Sequence, residues 1–119
     1  MMITLQASIG SQGEDAAVEW LRERGYYIVE RNWRVGHYEI DIIAQRWDVM
    51  HFIEVKTRSI DGWQSPYDSI DESKRRSLRR AAMNYAALHR LRHELQFDLI
   101  AIVVDSHGNK TIDYIERIL

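Results

Sequence analysis

From Tyr38 to Thr57 apolar and polar side chains alternate in two short runs, Tyr38–Ala44 and Met50–Thr57, joined through Arg46, Trp47, Asp48 and Val49. A period of two sends successive side chains to opposite faces of a strand. Each run therefore predicts a strand, and the pair predicts a hairpin turning between Trp47 and Asp48. In that register Ile42 opposes Ile53 and Ile40 opposes Val55 on one face. The other face then carries Asp41 opposite Glu54, and Glu39 opposite Lys56.

Outside this segment the pattern predicts helices and further strands. Ser11-Gln12-Gly13-Glu14 has the form of a capping box, opening a helix with Ala17, Trp20 and Leu21 on its apolar stripe and Gly25 at its end. Tyr26–Arg34 is rich in aromatic and β-branched residues and predicts a first strand. Leu78, Ala81, Ala82, Tyr85 and Leu88 recur at helical spacing and predict a second helix over 72–91. Lys74 falls on that apolar stripe and is aimed toward the sheet, whereas Arg75, Arg76, Arg79 and Arg80 point elsewhere. Strands over 96–104 and 111–116 follow, with a turn through Ser106–Asn109 between them. Helix, three strands, helix and two strands give an α/β fold with a central mixed sheet flanked by helices. The helical connection between the third and fourth strands is long enough for those strands to run parallel.

Size and composition then narrow the classes. A chain of 119 residues, 45% of them hydrophobic, suits one domain with a real core. The absence of cysteine removes disulfides and thiolate-bound zinc. No secretory signal is visible at Met1–Gln6, and the longest apolar run, Leu99–Val104, is far too short to span a bilayer, so a soluble cytoplasmic protein with no membrane partner is expected. The net charge of −2 argues against wholesale wrapping of nucleic acid, but Lys74-Arg75-Arg76-Ser77-Leu78-Arg79-Arg80 is locally basic.

The candidate chemistry lies in the hairpin. Cβ atoms of cross-strand partners are only about 4.5–5.5 Å apart, so Asp41 and Glu54 face to face call for a positive group between them. Mg²⁺ or Mn²⁺ held by Asp41, Glu54 and the carbonyl of Val55, with Lys56 beside it, is the equipment of a phosphodiester-cleaving site. A salt-bridge ladder joining Lys56 to Glu39 and Glu54 uses the same residues. Glu14 either completes the acidic cluster or serves only its capping box. The basic helix either contacts nucleic acid or is a solvated face. Asp98 is open to a functional role or to turn and edge chemistry. His89 and His93, one helical turn apart with no third ligand, fit a solvated helix tail better than a metal site. Core packing is the default for Trp33. Trp63, in a long loop over 59–69 beside the site, is open to stacking on bases.

Gly10–Ala17, Arg31–Arg34, Glu39–Ala44, Phe52–Arg58, Lys74 and Phe97-Asp98, in that order, together resemble the bacterial YraN family, assigned to the restriction-endonuclease-like PD-(D/E)XK nuclease superfamily. The resemblance runs from about Gly10 to the last strand. It implies a restriction-endonuclease-like three-layer core and a metal-dependent DNA endonuclease. Glu14, Asp41, Glu54 and Lys56 match its acidic, acidic, acidic and basic positions, with Mg²⁺ or Mn²⁺ as cofactor. Arg58, Lys74, Arg75, Arg76, Arg79 and Arg80 are the accompanying candidates for nucleic-acid contact. The spacing is also similar to archaeal Holliday-junction resolvases, which brings in branched or damaged DNA. A two-fold homodimer would suit cutting both strands of a symmetric junction. Two departures stand out: His37-Tyr38 precedes Glu39 where the family often has glycine, and Ile40 replaces the superfamily's proline. A catalytically silent nucleic-acid-binding module and a protein-interaction subunit are the competing functions, because a site can decay on an intact fold.

Overall fold

The computed structural model describes residues 5–60 and 70–119, with side chains from Gly13 onward. In chain order the elements are α1 (Leu5–Glu23), β1 (Tyr27–Val35), β2 (Tyr38–Arg46), β3 (Val49–Ser59), α2 (Glu72–Leu88), β4 (Glu94–Val104) and β5 (Lys110–Ile115). The five strands form one mixed sheet in the order β1-β2-β3-β4-β5. All neighbours are antiparallel except β3 and β4, which α2 connects as the expected parallel crossover. α1 covers one face and α2 the other, an α/β three-layer arrangement compatible with a restriction-endonuclease-like core.

Local chemistry fixes the helix ends. Gly25 has φ +86°, and its N–H bonds to the Arg22 carbonyl while Tyr26 N–H bonds to Leu21. That is a Schellman turn, and it requires the left-handed conformation that glycine adopts without a Cβ penalty. Asp71 caps α2, accepting the Lys74 N–H at 2.7 Å. α2 ends at Leu88, short of the expected Leu91, because Arg90 turns left-handed and Leu91 N–H bonds back to Ala86 in the same kind of turn. His89 and His93 therefore do not share a helix tail. His89 packs on Tyr85, and His93 Nε2 lies 3.1 Å from Gln45 Nε2 on β2. The start of α1 also differs from expectation. The helix begins at Leu5, so Ser11–Glu14 lies inside it and not at its start.

The core is split by the sheet. Ala17, Val18 and Leu21 of α1 pack on Ile42, Ile53, Ile100 and Ile102, while Ala81, Ala82 and Tyr85 of α2 pack on Ile40, Ile43, Met50 and Phe52. Adjacent residues such as Ile42 and Ile43 thus serve opposite layers, which is why the strand interiors read as nearly continuous apolar runs. Each fully buried Ile or Phe contributes roughly 1.5–3 kcal/mol, so these layers hold the sheet rigid beneath the polar groups it carries. Trp33, the expected core residue, packs edge-on to Tyr85 at 5.2 Å between ring centroids.

Candidate functional site

The predicted hairpin register holds from Arg46↔Val49 to Ile42↔Ile53, with Trp47 and Asp48 in the turn. Beyond that point it changes. The paired residues end at Ile42↔Ile53, and Ile40 joins the α2-side cluster while Val55 packs with the α1-side cluster. The expected cross-strand pairs Asp41–Glu54, Ile40–Val55 and Glu39–Lys56 are therefore not formed, although Asp41 still lies within reach of the Glu54 charge. On the other edge of β2, Asn32 of β1 has φ +52°; Arg31 reaches Asp15 of α1, whereas Trp33, paired with Ile40, turns to α2. The two strands switch faces together, so alternation loses phase at Asp41.

This switch leaves Asp41 at a fork between β2 and β3. Its Oδ2 accepts the Val55 N–H at 2.8 Å, the place a backbone carbonyl takes in a continuous ladder. Glu54, one residue earlier on β3, shares the α2 face with Phe52 by alternation. It is buried at 4% exposure, far from usual for a glutamate. Its Oε1 lies 3.4 Å from Lys56 Nζ and 3.1 Å from Lys74 Nζ, and its Oε2 is buried with no hydrogen-bond partner among the described residues. Lys74 thus points inward, as its place on the stripe predicts, and Lys56 pairs with Glu54 as in the ladder reading. Glu39 is taken by Arg34 instead, at 3.3 Å.

The acid at the fork is strongly perturbed. Burial, and then the neighbouring Glu54 charge, push the Asp41 carboxyl up to about 7, against the Val55 N–H, which favours its charged form. Glu14 and Glu39 add smaller repulsions of the same sign, so the fork draws carboxylates from α1, β2 and β3. Glu14 also lies 4.0 Å from Arg31. α1 approaches this end of β3 closely: a Cβ on Gly13 would fall 2.2 Å from Thr57 Oγ1. Gly13 therefore has a packing reason independent of any cap, and Glu14 follows it toward the site.

Among the described residues, no three or more His, Cys, Asp or Glu side chains converge as a ready-made metal cage. The donors at the fork are nevertheless all oxygens, one of them an orphaned buried carboxylate oxygen, and two lysines crowd the other oxygen of that carboxylate. Such a set fits a hard divalent cation that retains several waters better than a fully caged one. The remaining candidates lie around it. Arg58 is half-buried and donates to the Thr57 carbonyl at 3.2 Å. Arg75, Arg76, Arg79 and Arg80 are exposed on α2, and Arg80 donates to Tyr38 Oη at 3.0 Å. Trp63 and most of the 59–69 loop lie outside the described residues.

A second buried polar cluster was not foreseen. Asp98 is fully buried inside β4, so neither turn nor edge chemistry accounts for it. It is bonded to His51 Nδ1 at 2.7 Å, to Gln96 Nε2 at 2.9 Å, to Arg117 N–H at 3.0 Å and to the Tyr114 hydroxyl. Burial works against its charge, but those partners together hold its carboxyl below the usual range. Tyr114 stacks on Trp20 at 5.2 Å, linking the cluster to α1. Strand alternation places His51 and Asp98 on one face only once the parallel pairings His51↔Gln96 and Ile53↔Asp98 are known.

Comparison with known proteins finds relatives over most of the chain. The model of the uncharacterised protein family UPF0102 matches residues 13–102, from Gly13 into β4. A UPF0102 protein of Bacteroides thetaiotaomicron is 41% identical over 109 residues, 92% of this chain and 89% of the relative. A UPF0102 protein of Flavobacterium psychrophilum is 42% identical over 94 residues, 79% of each chain. One of Dictyoglomus turgidum is 39% identical over 101 residues, 84% of this chain and 86% of the relative. Among the described residues no helix is long and apolar enough to cross a membrane. With matches of this extent, the chain belongs to UPF0102, the YraN family.

Proposed function

We propose that this protein is a metal-dependent endonuclease that hydrolyses phosphodiester bonds of DNA, with branched or damaged DNA among its candidate substrates. The observation that carries the reading is the fork itself: buried Glu54, with an unpartnered carboxylate oxygen, beside an Asp41 whose charge is resisted by its neighbours. A purely structural ion pair would satisfy both Glu54 oxygens, whereas Oε2 finds no hydrogen-bond partner among the described residues, as in a site that awaits a cation.

Phosphodiester hydrolysis needs an activated water, relief of charge on the phosphate oxygens and stabilisation of the leaving oxygen. Asp41 and Glu54, with the Val55 carbonyl, would hold Mg²⁺ or Mn²⁺, and Glu14 would add negative charge from α1. The bound ion would supply Lewis acidity and a water of lowered pKa. Lys56 and Lys74 bring two ammonium groups to one carboxylate oxygen, and either can turn to a phosphate that enters the fork. Cation binding must displace the proton that Asp41 retains below about pH 7, so metal affinity should rise with pH through that value.

The test is Mn²⁺-supported cleavage of single-stranded, duplex, flap and four-way-junction DNA by the wild type and by Glu54→Ala. The expected result is cleavage of at least one form, lowered on the order of 10³-fold or more by the substitution, the scale at which removal of a key electrostatic group acts. Absence of cleavage by the wild type would sink the proposal. The exposed arginines of α2 would then favour a catalytically silent nucleic-acid-binding module over a protein-interaction subunit.

A further inference from the structure

The four arginines of α2 are not equivalent. Ser73 and Ser77, and Arg76 and Arg80, stand four residues apart, and Ser73–Arg76 and Ser77–Arg80 three apart, which places all four on one stripe of the helix. With Tyr38 of β2 they line a cleft of about 250 Å³. Arg75 and Arg79 lie about 100° further around the helix, since each residue turns by that angle, and are not part of the cleft. Lys74 and Leu78 face the sheet instead, as the Lys74–Glu54 ion pair and the burial of Leu78 show.

The chemistry of this cleft is that of an anion site. Two guanidiniums stand one helical turn apart, flanked by the hydroxyls of Ser73, Ser77 and Tyr38, with no carboxylate in the lining among the described residues. Arg80 is already oriented by its bond to Tyr38 Oη at 3.0 Å, and Tyr38 is half-buried, so one wall is fixed by the sheet. Guanidinium forks and hydroxyl donors match the oxygens of a phosphodiester. The cleft also adjoins the acidic fork through covalent neighbours: Ser73 precedes Lys74, and Tyr38 lies three strand residues, about 10 Å, before Asp41.

We infer that the Tyr38–Ser73–Arg76–Ser77–Arg80 cleft binds a backbone phosphate of a nucleic-acid strand, a nucleotide or more away from the phosphate that enters the fork. This rests on the nuclease reading for its location but not for its test. The cleft fixes the register of the strand on β2 and α2, while the fork carries out the chemistry. Phosphate contacts of this kind position a strand without reading its sequence.

Binding of fluorescein-labelled single-stranded and duplex DNA, followed by anisotropy in EDTA over a salt series, separates the arginine pairs. Arg76→Ala with Arg80→Ala should weaken binding at least tenfold more than Arg75→Ala with Arg79→Ala. It should also reduce the slope of log K against log salt by about 0.7–0.9 for each phosphate the pair neutralises. Tyr38→Phe should weaken binding a few-fold and leave the slope unchanged, because the hydroxyl carries no charge. Equal losses from the two pairs, no loss from either, or no binding by the wild type would overturn the cleft. Mn²⁺-supported cleavage that is indifferent to Arg76 and Arg80 would refute the cleft and leave the nuclease reading standing. Binding that depends on Arg76 and Arg80 without cleavage of any substrate would do the reverse.

Discussion

Asp98 and Asp41 are both aspartates inside this sheet, two strands apart, and the protein treats them in opposite ways. Asp98 is surrounded by partners from β3, β4, β5 and the chain beyond, which hold its carboxyl below the usual range in spite of burial. Asp41 has one backbone N–H and three acidic neighbours, and its carboxyl is pushed up to about 7. A buried carboxylate with its hydrogen bonds complete holds a structure together. One left among like charges weakens it and is kept for another use.

The same isosteric change should therefore have opposite consequences at the two sites. Asp98→Asn removes the charge on which these donors converge and should cost about 3–5 kcal/mol, the scale for breaking a buried charged pair. Urea titration near neutral pH measures it. A loss under about 0.5 kcal/mol, within the range of an ordinary surface substitution, would remove Asp98 from the structural side of the comparison.

Next in size is Gly13→Ala. The new Cβ meets Thr57 Oγ1, a short side chain with little room to retreat, so overpacking should cost about 1–3 kcal/mol. The same change should push Glu14 away from the fork and lower Mn²⁺-supported cleavage. Full stability with unchanged cleavage would mean that α1 does not deliver Glu14 to the site.

Asp41→Asn should act on stability with the reverse sign. The folded carboxyl, at about 7, binds its proton more tightly than the unfolded one, near 3.8. Its contribution to folding therefore falls as pH rises between those values. The variant should become progressively more stable than the wild type from about pH 4 to pH 7, with a constant difference above. Wild-type Mn²⁺ affinity should rise over the upper part of the same window, by calorimetric titration. Asp98 has the contrary linkage, since its lowered folded value supplies stability above the unfolded pKa that is lost as pH falls through the folded one. A variant at Asp41 that is less stable than the wild type at pH 8 would erase the distinction.

Much of this was legible along the chain because the governing signals are local. The hairpin turn at Trp47-Asp48, the Ile42↔Ile53 register, the inward aim of Lys74 and the left-handed Gly25 follow from period, spacing and turn chemistry, and the structure has all four. The candidate carboxylates stand out for the same reason: charged residues interrupt apolar strand runs at fixed parity. Two local signals misled. Ser11–Glu14 has the composition of a cap but lies within α1, because the helix extends back to Leu5. The stripe that reaches Leu91 is cut short by the turn at Arg90, a residue whose type does not announce a left-handed backbone.

What the sequence by itself determined is the order and kind of the elements, the parity of their side chains and the residues able to carry charge or hold a metal. Only the tertiary structure decided how those residues meet. The coordinated face switch at Asn32 and Asp41, the sharing of Glu54 by Lys56 and Lys74, the Arg76–Arg80 cleft against Tyr38 and the closed shell around Asp98 each join elements distant in the chain. Periodicity fixes the direction of a side chain relative to its own element. The partner it finds depends on how strands and helices are set against one another, and that is settled by packing the two apolar layers across the sheet.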